Sequence, residues 1–96
     1  MSNEPTAADL FRAALGDRLF EWRVALGLSR AGLAEKAGVS ADYVYRLEQG
    51  WANPRVTTLQ AVATALGTTV QELLDVEGDE LGLAAVTAGR ASRYQS

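Results

Sequence analysis

The stretch SRAGLAEKAGVSADYVYRLEQG, residues 29–50, decides the fold. Ser29 and Ser40 each stand just before a short run of apolar periodicity. That is the N-cap position, where a hydroxyl accepts from a free N–H of the first helical turn. The first run, Arg30 to Ala37, faces Leu33, Ala34 and Ala37 inward. The second, Ala41 to Glu48 or Gln49, faces Val44 and Leu47 inward, with Gly50 as its stop. Between them Gly38 sits where the chain must turn sharply, and glycine adopts a positive φ there at little cost. Ala34 is small enough to let the two helices cross closely. Leu33, Ala37, Val39, Val44 and Leu47 fill the angle. This is the spacing of a helix-turn-helix, whose second helix can enter a DNA major groove.

Upstream, Leu10, Phe11, Ala14, Leu15, Leu19, Trp22 and Leu26 recur at three and four and predict an amphipathic helix over 7–26. Thr6 and Asp9 open it with a capping-box pattern, and Gly27 stops it. Downstream, WANPR (51–55) reads as a loop, because the residue before Pro54 resists helix. A fourth helix is expected over 56–66, with Leu59, Val62, Ala63 and Leu66 inward, and Thr69 with Glu72 makes a capping box for a fifth over 70–75. Nothing alternates with period two, so no strand is expected. The organisation follows: residues 1–8 a flexible N-terminus, 9–75 the helical DNA-binding domain, and 76–96 an acidic tail, either dimerising or disordered. Two apolar groups fall outside the expected five-helix core: Leu10, Phe11 and Ala14, and Leu81, Leu83 and Val86 in the tail. They are expected to cover one another or to build a two-fold interface, joined by the fifth helix around Leu73 and Leu74.

The composition narrows the chemistry. The 96 residues contain no Cys and no His. Thiolate zinc sites, Cys nucleophiles and histidine general bases are therefore absent, and an enzyme is not expected. No metal or cofactor is expected either. No run of apolar residues is long enough to span a membrane, and the N-terminus MSNEPTAADL is acidic and polar, unlike a signal peptide. The expected location is the cytoplasm. The net charge of −3 argues against nucleic acid when taken alone. However, the cations concentrate in the middle: residues 12–55 hold Arg12, Arg18, Arg23, Arg30, Lys36, Arg46 and Arg55 and are mildly basic between two acidic ends.

Residues 15–74 resemble the phage-repressor and Cro-like helix-turn-helix family of transcriptional regulators. The matching pieces are GLS (27–29), LAEKAGVS (33–40), YVYRLEQG (43–50), NP (53–54) and ALG (65–67). The resemblance implies an all-α, five-helix bundle of the lambda-repressor type, with short N- and C-terminal extensions. It also implies binding of double-stranded operator DNA as a homodimer. This chain departs from the pattern in having Arg30 where Gln is frequent and Tyr45 where a small residue is common.

Each candidate contact has two readings. The resemblance implies a phosphate contact for Arg30, which is otherwise a solvated arginine. Arg46 is either an i,i+4 partner of Asp42 or a bidentate reader of guanine or phosphate. Asp42 suits the helix dipole or accepts from cytosine N4. Ala41 is a good helix former or meets a thymine methyl. Tyr45 shares their face and could lie against a sugar or base edge, whereas Tyr43 packs partly and offers its hydroxyl to phosphate. Trp51, in a loop, is expected to be exposed as a phosphate or partner contact. Asn53 and Arg55 flank Pro54 and are placed to hold a phosphate. The resemblance makes Arg23 and Glu48 an internal ion pair. The leading expectation is a sequence-specific regulator. The alternatives are a protein-interaction module without DNA, motivated by the acidity, and an antitoxin whose tail binds a protein partner.

Overall fold

The computed structural model describes residues 4–75. They form five helices: α1 Ala7–Ala25, α2 Arg30–Ala37, α3 Ala41–Glu48, α4 Val56–Ala65 and α5 Val70–Leu73. There is no strand among the described residues. The tail, with its proposed Leu81, Leu83 and Val86 cluster, lies outside them.

Local chemistry sets the helix starts. Thr6 and Asp9 form the reciprocal capping box, with Asp9 N donating to Thr6 Oγ1 at 3.1 Å and Thr6 N to Asp9 Oδ2 at 2.9 Å. The Thr6 N–H and then the Thr6 side chain, with Arg12 adding to them, hold the Asp9 carboxyl below its ordinary range against an opposing desolvation. Ser29 Oγ accepts from Gly32 N at 2.9 Å and Ser40 Oγ from Tyr43 N at 3.0 Å, capping α2 and α3. Thr69 caps α5 by accepting from Glu72 N. Glu72 does not complete the second capping box: its carboxylate takes the Thr68 hydroxyl instead of the Thr69 N–H. Gly38 has φ 75°, and its N–H and that of Val39 both close on Ala34 O, which sets the angle between α2 and α3.

The core gathers Leu15, Leu19, Leu33, Ala34, Val44, Leu47, Leu59, Val62, Ala63, Leu66 and Leu73. Helix α3 packs against α1 and α2, and α2 also packs against α4. Gly16 makes the α1–α3 contact possible: a Cβ there would lie 2.5 Å from Glu48 O and 2.6 Å from Leu47 O. Several expectations need correction. Ala14 is buried and Phe11 packs on the core, so the start of α1 belongs to the bundle. Leu26 is exposed, because α1 ends at Ala25 and its cap residue leaves the apolar stripe. Trp22 is half-buried at the edge of the core, with the Arg18 guanidinium 5.3 Å from its ring. Leu73 is fully buried and is not available to an interface, whereas Leu74 lies at the surface.

Candidate nucleic-acid interface

Helix α3 is amphipathic in the strict sense: Val44, Leu47 and Glu48 are buried, while Ala41, Asp42, Tyr45 and Arg46 are exposed. The buried side is unusual because it includes a charge. Glu48, with a side chain only 1% exposed, accepts from Arg23 Nε at 2.6 Å and Arg23 Nη2 at 3.1 Å. Arg23 also donates through Nη1 to Leu28 O at 2.8 Å, which ties down the α1–α2 loop. A buried carboxylate is tolerable only when its lone pairs are met by such donors. Two arginines meet them here, because Arg30 Nε adds a third bond to Glu48 Oε1 at 2.9 Å.

The exposed side falls into two groups. In the first, Arg30 lies against Tyr45, with its guanidinium carbon 5.1 Å from the ring centroid. Tyr45 in turn meets Trp51 edge-to-face at 5.7 Å. Trp51 is 66% exposed, as its loop position implies. On the same helix Arg46 Nε approaches Asp42 Oδ2 at 3.5 Å, a loose pair with both side chains in solvent. Such a pair contributes only a few tenths of a kcal/mol and gives up little when either partner leaves. The second group surrounds the start of α3 and α4. Tyr43, Asn53 and Arg55 line one shallow recess with Val39, Ser40 and Thr58. Tyr43 is half-buried on the core, and Asn53 and Arg55 are exposed.

Residues 14–76 match the family described as helix-turn-helix domain. The chain belongs to that family. Over 61 residues this helix-turn-helix domain is 41% identical to the HTH-type transcriptional regulator DdrOP3 of Deinococcus deserti, covering 64% of this chain and 47% of that protein. It is 38% identical over 63 residues to the immunity repressor protein of Bacillus phage phi105, covering 66% of this chain and 44% of the repressor. The chain thus spans about half the length of the curated relatives it matches. Among solved structures it is similar to the restriction-modification controller protein C.AhdI from Aeromonas hydrophila. There the TM-score is 0.64 at 39% identity, covering 69% of this chain and 97% of that one.

The helix-turn-helix frame therefore brings together, on one side of α3, the residues expected at Arg30, Tyr45 and Trp51. It gathers Tyr43, Asn53 and Arg55 separately. Sequence reasoning missed that Glu48 holds Arg30 as well as Arg23. No local pattern announces it, because the two residues are 18 apart. It also missed Ser40 and Thr58 in the recess. Ser40 was legible only as a cap, and a cap hydroxyl gives no hint of what lies beside it.

Proposed function

We propose that this helix-turn-helix protein is a sequence-specific DNA-binding transcriptional regulator, a repressor that binds a palindromic operator as a homodimer. The observation that carries the reading is the α3 face: Ala41, Asp42 and Arg46 stand exposed on a helix whose other side is locked by the Arg23–Glu48 pair. A rigid helix with a polar, solvent-facing row is what major-groove reading requires. In this reading Arg46 exchanges Asp42 for guanine O6 and N7. Asp42 then accepts from cytosine N4, and Ala41 meets a thymine methyl. Tyr43, Asn53 and Arg55 hold a phosphate at the recess beside the start of α4. The names of the relatives support regulation of transcription, and the phage immunity repressor supports repression.

The described residues hold one recognition helix in this reading, so tight specific binding calls for a second copy, with two helices about 34 Å apart along the duplex. Leu74 and the tail are the segments proposed for that contact, and the tail is also the segment proposed for any protein partner. The domain spans residues 9–75 in this reading, and its setting is the cytoplasm. Selection of bound sequences from a random duplex pool tests the function. The expected result is an enriched palindrome with half-sites about one helical turn apart. A pool that stays random would overturn the reading in favour of a protein-interaction module, which the net charge of −3 would suit.

A further inference from the structure

Arg30, Tyr45 and Trp51 come from three different segments and form one continuous contact. The Arg30 guanidinium is held at two points. Its Nε is fixed by the buried Glu48 carboxylate at 2.9 Å, and the group lies 5.1 Å from the Tyr45 ring centroid. Tyr45 is itself braced by Trp51, with ring planes 83° apart. A surface arginine ordinarily samples many rotamers and loses that freedom on binding. Here the ordering precedes any ligand. Neither terminal nitrogen of Arg30 makes a hydrogen bond among the described residues, and 39% of the side chain is exposed. Nε is occupied, so the edge left over is the pair of terminal nitrogens, whose parallel N–H groups match two oxygens of a phosphate.

We propose that Tyr45 and Trp51 are positioning residues, which together with Glu48 hold Arg30 as a preformed two-pronged clamp for one phosphate of duplex DNA. The proposal rests on the DNA reading above. It differs from direct contacts by the two aromatic side chains, because their effect on DNA passes through Arg30. The Tyr45 hydroxyl has no part in it; the ring does. The contact is to the backbone, so it acts on all sequences alike.

The probe is a fluorescently labelled random-sequence duplex of about 20 base pairs at low salt, titrated with the full chain and read by anisotropy. Arg30→Gln should weaken binding about tenfold, the loss of a charged bidentate contact. Tyr45→Leu should cost about fivefold and Trp51→Ala about threefold in the wild-type background, as expected for loss of cation–π support. In the Arg30→Gln background each should cost less than about twofold. Tyr45→Phe should bind like the wild type, and Arg30→Lys should recover little affinity, because an ammonium has no fork. Thermal melts of each variant separate unfolding from lost contact, and Tyr45→Met is a second ringless variant. Equal costs of Tyr45→Leu with and without Arg30, or a loss in Tyr45→Phe, would overturn the clamp while leaving DNA binding in place. No binding by the wild-type chain would overturn the DNA reading and the clamp with it.

Discussion

Helix α3 carries two acidic residues, Asp42 and Glu48, and each faces an arginine, yet the two regions behave differently. Glu48 is enclosed, with a side chain 1% exposed and three N–H bonds of 2.6, 2.9 and 3.1 Å from Arg23 and Arg30. The Asp42 side chain is 78% exposed, and its pair with Arg46 is a loose one at 3.5 Å. Water competes for every charge at the second site, whereas at the first it reaches mainly the outer part of Arg30. The buried network therefore fixes how α3 lies against α1. The exposed pair leaves Arg46 available to another acceptor at little cost. The proposed recognition role of α3 needs both: one side that does not move, and one whose partners are exchangeable.

The largest test of this contrast removes an arginine from the buried side. Arg23→Ala leaves the enclosed carboxylate with Arg30 alone and frees the Leu28 carbonyl. It should cost about 3–5 kcal/mol, read from the urea midpoint of the full chain. A loss below about 1 kcal/mol would show that Glu48 is solvated and that the contrast fails. A smaller effect is expected where α1 and α3 touch. Gly16→Ala would put a methyl 2.5 Å from Glu48 O, a backbone atom that cannot rotate away. The helices must separate, at about 1–3 kcal/mol by overpacking, and the same unfolding curves measure it. An unchanged midpoint would mean that the crossing yields easily and does not hold Glu48 in place.

The smallest effect on stability belongs to the exposed side. Arg46→Ala should leave the melting curve within about 0.5 kcal/mol of the wild type. On the proposed DNA reading it should still cost about 1–3 kcal/mol at a single base position, measured by competition among duplexes that differ there. A destabilisation above about 1 kcal/mol would place Arg46 with the structural residues and break the contrast between the two sites.

The sequence by itself determined the helices, the caps at Thr6, Ser29 and Ser40, and the turn. Each depends on residues three or four apart: Thr6 with Asp9, Ser29 with Gly32, Ser40 with Tyr43, and Gly38 with Ala34. It also determined the inward faces of α2, α3 and α4, because apolar periodicity is written along each segment. The Arg23–Glu48 pair was legible only through family resemblance. Only the tertiary structure decided that Glu48 binds Arg30, that Arg30 lies over Tyr45 and Tyr45 against Trp51, and that Ala14 and Phe11 join the core. It alone decided that Arg18 reaches Glu72 O across 54 residues to hold α1 to α5. The physical reason is reach along the chain. Local hydrogen bonds and periodicity repeat within a helical turn and leave a pattern, whereas side chains 18, 25 or 54 residues apart meet only after the helices have packed. Burial then decides which of the arginines are held in place and which remain free to change partners.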